Sequence, residues 1–312
     1  MKIFLLLLLA TVSLEAYELN KTYAGDTFFD GFYFFTQKDP NHGTVQYVDE
    51  VIARALNLLA VENGKVKISV DSTNVFPTDG RPSIRIHSHD RYNDGLFIFD
   101  IDHMPVGPGT WPAFWFCGDS WPANGEIDVL EGIYGKTENN QALHTSANCT
   151  MPLDASIFKG HWTKGPQGKI TNDCFVNAAG QGGSGCSITS ENGFFGIPFN
   201  AAGGGVFAFE WIREASMKIW IFKRADIPAD ITQGNPNPDS WGKPEAYYTI
   251  GPQCPANHFN DHEIIINCNL CGDWAGGSFP GGWDACNQKV RNDPSAFKDT
   301  YWLINSLKYY SL

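Results

Sequence analysis

The run Gly125-Glu126-Ile127-Asp128-Val129-Leu130-Glu131-Gly132 restricts the fold more than any other stretch of this chain. Between two glycines it sets three carboxylates among the branched residues Ile127, Val129 and Leu130, a composition that favours a half-buried strand over a helix. Alternate residues of a strand share a face, so Glu126 and Asp128 point together, whereas Glu131 points away if the strand is unbroken. A one-residue β-bulge around Val129 and Leu130 brings Glu131 round to the face of Glu126 and Asp128. The run therefore predicts a sheet with three acids in a row on one surface; the competing reading is a solvated acidic edge strand.

Carboxylates set side by side hold one another's ionisation apart, because a like charge nearby raises a carboxyl pKa. Two-carboxylate glycoside hydrolysis uses that separation. When the anomeric configuration is retained, an ionised nucleophile and a protonated acid stand about 5–5.5 Å apart. Glu126 and Glu131 can meet that spacing only from a shared face, and Asp128, between them, is placed to hydrogen-bond the nucleophile.

The flanking residues Gly109-Thr110-Trp111-Pro112-Ala113-Phe114-Trp115 and Trp121-Pro122-Ala123-Asn124, leading into the acidic strand, resemble the signature of glycoside hydrolase family 16. The likeness is strongest to the fungal-type endo-1,3(4)-β-glucanases, or laminarinases. Leu143-His144-Thr145, Cys271-Gly272-Asp273-Trp274-Ala275-Gly276 and the stretch Tyr301 to Tyr309 also match, so the resemblance runs from about Tyr23 to the end of the chain. It implies an all-β, antiparallel β-sandwich of jelly-roll type whose concave sheet carries a substrate cleft. It further implies a retaining endo-β-glucanase acting on β-1,3 or mixed β-1,3/1,4 glucan, with Glu126 as nucleophile and Glu131 as general acid/base. Asp128 assists them, and no metal or cofactor takes part. Trp115, Trp121 and Trp274 correspond to sugar-stacking residues and His144 to a position beside the acid/base, while Trp111 is read as core. On spacing alone, His144 is equally a hydrogen-bonded core histidine.

Met1 to Ala16 carries a single Lys2, an apolar centre with five consecutive leucines, and Ser13 to Ala16, the pattern of a secretory signal peptide cut after Ala16 or Ser13. The expected division is a signal at 1–16 and one catalytic domain at 17–312. No later apolar run approaches the length of a membrane span, so a secreted, extracellular and monomeric protein is expected. All eight cysteines follow the signal, which in an exported chain predicts up to four disulfides. Cys271 and Cys286 bracket the loop with Trp274; pairing there closes about 15 residues and contributes roughly 3 kcal/mol in the chain-entropy model. Cys117 and Cys268 are extra to the family pattern, and their pairing is open. Asn20 and Asn148 head glycosylation sequons, the second liable to burial by a disulfide at Cys149.

A formal charge of -12 without basic clusters argues against nucleic acid and anionic membranes as partners and leaves a neutral polymer, here a β-glucan, as the compatible one. Along the chain, Val48, Ile52, Ala55, Leu56 and Leu59 follow helical spacing within a helix over Val45 to Leu59. Strands are expected at Lys65–Asp71, Ser83–His87, Leu96–Ile101, Val206–Arg213 and Met217–Arg224, the last two as a hairpin. Lys164 to Gly205, with Cys174 and Cys186, reads as a disulfide-pinned loop near one end of the cleft, and Pro228 to Pro244 as a second irregular insert.

Two alternatives compete with the hydrolase. His87 and His89 share a strand face and offer a metal site of cupin type, against which the nearest following acid is Asp94 at the wrong spacing. The same scaffold can also bind glucan without cutting it; the three intact carboxylates favour the enzyme. Transfer to a sugar hydroxyl instead of water is a variant of the same chemistry.

Overall fold

A computed structural model describes residues 17–76, 78 and 80–312; the expected signal peptide lies outside them. Two eight-stranded antiparallel sheets stack on each other. The back sheet runs Ala246–Thr249, Ser216–Lys223, Gly205–Ile212, Gly95–His103, Tyr301–Ser311, Lys65–Ser69 and Leu59–Glu62, with Glu18–Tyr23 also paired to Tyr301–Ser311. The cleft sheet runs His161–Trp162, Cys186–Thr189, Asn140–His144, Glu126–Glu131, Thr110–Cys117, His262–Leu270, Arg85–Tyr92 and Phe32–Phe34. The acidic strand is thus central, not an edge, and the all-β jelly-roll sandwich expected from the sequence is the observed architecture.

Aromatic residues at alternate positions join the sheets. Phe97 and Phe99 of the back sheet meet Phe116 and Phe114 of the cleft sheet at ring-centroid distances of 4.8 and 4.3 Å. Phe207, Phe209 and Trp211 share the same inner face, and all three are fully buried. Each such ring contributes roughly 1.5–3 kcal/mol by leaving water, and the shared contacts fix which face of each strand turns inward. The back sheet is apolar on its other face as well. Ile98, Val206 and Trp220 pack there under the Pro228–Pro244 segment, which folds into the helix Ala229–Gln233 and a short turn that sets Trp241 against Trp220 at 5.3 Å.

Three local expectations need correction. The helix over Val45 to Leu59 shrinks to Glu50–Ala55, capped by the Asp49 carboxylate on the Ile52 N–H, with strands Val45–Tyr47 before it and Leu59–Glu62 after it. Ile52 is 44% exposed and Ala55 is exposed too, so the apparent stripe is not one helix face: its buried or half-buried members, Val48, Leu56 and Leu59, lie outside Glu50–Ala55. The strand expected over Ser83–His87 divides at Ile84: Arg81–Ser83 pairs in parallel with Val45–Tyr47, and Arg85–Tyr92 enters the cleft sheet. Within the Lys164–Gly205 stretch, Cys186–Thr189 is a cleft-sheet strand rather than loop.

Disulfides join Cys149 to Cys254, Cys174 to Cys186 and Cys271 to Cys286. Cys117 and Cys268 are free, so the four expected bridges reduce to three. Both cysteines lie on neighbouring strands, but the register sets Cys117 opposite Glu263 and Cys268 opposite Pro112, too far apart along the strands to bond. Asn20 and Asn148 are both exposed, the latter despite the Cys149 bridge. Titration of denatured, unreduced protein with a thiol reagent is expected to give about two thiols per chain; none would mean that Cys117 and Cys268 are bridged after all.

Candidate active site

The acidic strand pairs with Thr110–Cys117 on one side and Asn140–His144 on the other, and both ladders slip after Asp128. Against Thr110–Cys117, Asp128 faces Trp115 and Leu130 faces Phe114, so Val129 is the extra residue of a bulge. Val129 and Leu130 are both fully buried in the core, and the next residue, Glu131, returns to the cleft face. Asn139 completes the bulge: its Nδ2 donates to the Val129 carbonyl at 2.9 Å and its Oδ1 accepts from the Glu131 N–H at 3.0 Å. These are the backbone groups that the slipped ladder leaves over, and a buried side chain satisfies them.

Glu126, Asp128 and Glu131 therefore share one surface. Trp121 donates its indole N–H to Glu126 Oε2, and Trp111 donates to Glu131 Oε1 at 2.7 Å. Asn140 faces Glu131 across the ladder, its Nδ2 3.4 Å from Oε2. Ligand-type atoms of Glu126, Asp128 and His144 all lie within 4.8 Å of one another. His144 sits opposite Glu126, and its Nε2 is 3.2 Å from Asp128 Oδ2. The ladder neighbour of Glu131 is Asn140; His144 touches Asp128 directly, and its charge also acts on Glu131.

Burial sets the charge state of the cluster. It pushes Asp128 well above the usual carboxylate range, reinforced by Glu126 and Glu131. Burial also lifts Glu131 to about 7, against the opposing pull of the Trp111 N–H and the His144 charge. For His144 burial disfavours the cation, but the contact with Asp128 and the surrounding carboxylates outweighs it and raises the imidazole to about 9. Burial thus favours a protonated Glu131 near neutral pH, while a positive His144 sits against the Asp128 carboxyl. That is the split of ionisation that a proton donor beside a charged nucleophile requires.

The other expected residues fall as follows. Trp121 is 54% exposed over Glu126, and Trp115 lies in the cleft floor with its N–H on Asn267 Oδ1 at 2.7 Å. Trp274 stands edge-on to Trp111 at 5.6 Å and lines a cavity of about 400 Å³ beyond Glu131, with Asn140, Trp162 and Lys164 among its walls. Trp111 is not core, as the sequence reading had it, but part of the site. Alternation along Thr110–Cys117 signals this, since Trp111, Trp115 and Cys117 share a parity. The metal reading of His87 and His89 fails: Nδ1 of His87 lies 2.8 Å from Glu263, Nε2 accepts from Arg85 Nε at 2.9 Å, and His89 is exposed.

The family model described as XgeA-like, catalytic GH16 domain matches residues 32–310. The chain belongs to glycoside hydrolase family 16. An endo-1,3(4)-β-glucanase of Arthroderma benhamiae in this family is 42% identical over 313 residues, covering 97% of this chain and 66% of that protein. A probable glycosidase of Schizosaccharomyces pombe is 39% identical, covering 95% of this chain and 70% of its own length. The chain thus spans about two thirds of these curated relatives. Among solved structures, laminarinase 16A of Phanerochaete chrysosporium, with β-glucans in donor and acceptor sites, superposes with a TM-score of 0.86 at 36% identity. An elongating family 16 β-1,3-glucosyltransferase superposes at 0.87 and 34% identity; each comparison covers 95% of this chain and 100% of the other. As a family 16 member this chain is a glycoside hydrolase.

Sequence reasoning missed Asn139, whose role depends on a bulge it does not itself announce. Asn139→Ala leaves two buried backbone groups without partners. It is expected to lower unfolding stability by about 2–4 kcal/mol in denaturant titration, and an effect below about 0.5 kcal/mol would show that the bulge does not need it.

Proposed function

We propose that this glycoside hydrolase is a secreted, retaining endo-β-glucanase that cleaves β-1,3 or mixed β-1,3/1,4 glucan. One observation carries the reading: the bulge at Val129 sets Glu126 and Glu131 on the same surface, the second with a carboxyl raised to about 7. The glucanase and laminarinase names of the relatives favour glucan as the polymer. Trp121 and Trp115 offer flat, partly wet rings for sugar faces, which fits an uncharged chain.

The steps follow from the contacts. The Trp121 N–H engages Oε2 of Glu126 and leaves Oε1 to attack the anomeric carbon. Glu131 gives its proton to the departing glycosidic oxygen as that C–O bond breaks, and a glycosyl ester forms on Glu126. Asp128, between the two glutamates, is placed to hydrogen-bond the Glu126 carboxylate, and the His144 ring, 3.2 Å from Asp128 Oδ2, offsets the charge of the row. Esterification removes the Glu126 charge, the Glu131 pKa falls, and Glu131 takes a proton from the water that releases the sugar. Transfer to a sugar hydroxyl in that last step is a second reading, favoured by the close match to the elongating glucosyltransferase.

Incubation with laminarin, lichenan, xyloglucan and agarose, followed by reducing-end release, tests the assignment. Release from the first two is expected, and no release from any β-glucan would remove it. Glu126→Gln is expected to lower turnover by about 10³-fold or more while glucan is still bound; wild-type rates would reject the nucleophile. Because Glu131 must be protonated, turnover is expected to fall as pH rises through about 7. Trp111→Phe removes a donor that favours the ionised form, so the alkaline limb of the pH–rate profile should move to higher pH. A limb that stays in place would break the link between that limb and Glu131.

A further inference from the structure

The cleft floor continues away from the acids through residues that the proposed chemistry does not use. In register, Glu131 is followed across the sheet by Ala113, Asn267 and Arg85, and Asp128 by Trp115, Ile265, His87 and Tyr33. Arg85 is three strand spacings, about 14 Å, from Glu131, with only the small Ala113 and the amide of Asn267 between them. It is 7% exposed, yet among the described residues it has no carboxylate partner. Its guanidinium lies 4.4 Å from the Phe35 ring centroid and 5.0 Å from that of Trp115, contacts that favour a cation, and among the described residues its Nη groups have no hydrogen-bond partner. No Nη atom of Arg85 is sealed from solvent, so these donors face the cleft wetted and can exchange water for the hydroxyls of a ligand.

One hydrogen bond fixes the Arg85 side chain. Its Nε–H donates to His87 Nε2 at 2.9 Å. Arginine keeps its protons, so Nε2 must be the bare nitrogen of His87 and Nδ1 must carry the ring proton. Nδ1 lies 2.8 Å from Glu263 Oε2 and donates to it. Glu263 also accepts from the Tyr33 hydroxyl at 2.9 Å and from Arg91 Nη2 at 2.8 Å. These donors outweigh its burial and keep its carboxyl below the usual range.

We infer that His87 is a positioning residue that holds Arg85 ready to donate to glucan hydroxyls, and that protonating the His87 ring releases Arg85; the inference rests on the glucan reading above. The groups facing His87 are Arg85 and the exposed His89 on its own strand, Glu263 on one neighbouring strand, and Tyr33 and Phe35 on the other side, with Arg91 and its partner Asp119 behind Glu263. Burial, helped by the Arg85 charge, outweighs Glu263 and holds the imidazole below its ordinary value, which keeps Nε2 bare near neutral pH. On protonation Nε2 gains a hydrogen that faces the Arg85 N–H, setting two donors and two cations against each other. Sugar affinity therefore weakens as pH falls below the ordinary imidazole range.

Steady-state kinetics on laminarin, with wild type, His87→Leu and His87→Gln between about pH 4 and 7, test this. At neutral pH His87→Leu is expected to raise KM about tenfold with kcat within about twofold. Gln can accept from Arg85 and donate to Glu263 but does not titrate. It is expected to restore KM to within about twofold of wild type and to lack the rise in KM that wild type shows on acidification. Nitrogen-15 NMR of the wild-type ring should find the proton on Nδ1. A wild-type KM in His87→Leu, an acid-side rise shared by His87→Gln, or a proton on Nε2 would each overturn the proposal. If His87→Leu does not fold, the glutamine comparison and the NMR measurement decide. Failure of wild type to cleave any β-glucan would count against the hydrolase reading instead, and the ring tautomer would still test the relay.

Discussion

A single inserted residue governs this molecule's chemistry. Without Val129 as the extra residue of the bulge, strand alternation would turn Glu131 into the aromatic core between the sheets, where a lone carboxylate is strongly disfavoured. With it, two consecutive apolar residues, Val129 and Leu130, enter the core and the acid emerges beside its partners. Asn139 makes the distortion tolerable by giving both loose backbone groups a partner. The stacked phenylalanines beneath restrict the alternatives further. Phe114 and Phe116 are locked against Phe99 and Phe97, so the neighbouring strand cannot slide to absorb the irregularity.

The same burial that shapes the strand sets its electrostatics. Asp128 is enclosed and Glu131 largely so, and both carboxyls rise because water is kept from them. The indole donors act unequally on this cluster. Trp111 favours the charged form of Glu131 and limits how far its pKa climbs, while Trp121 engages Glu126 from an exposed position. His144, on the strand opposite Glu126, adds a positive charge in contact with the acids. A row of like charges is thus reconciled by unequal solvent access and a neighbouring cation.

Much of this was legible in the chain because it follows from local parity. Glu131 stands five positions after Glu126, an odd offset that a regular strand cannot place on one face, and the intervening apolar pair marks where the offset is absorbed. The hairpin Gly205–Ile212 with Ser216–Lys223 announced itself by alternating aromatics. The misreadings came where tertiary pairing overrides a local pattern. Val48 and Leu59 imitated a helical stripe although each belongs to the core for its own reason. Trp111 carries the parity of the cleft face, although from the sequence it is read as core. Arg85, His87, Glu263 and Asn267 were out of reach, because what joins them is the register of strands separated by some 180 residues, and no local spacing encodes that.

The proposed mechanism requires the two glutamates to act from one side of the sheet on one sugar bond through a covalent ester. Proton NMR of the first-formed reducing ends, recorded before mutarotation, tests this directly. Two inversions at the anomeric carbon predict that cleaved β-glucan appears initially as the β-anomer. Initial release of the α-anomer would require a water in the place where Glu126 is said to attack, and would contradict the mechanism that the bulge makes possible.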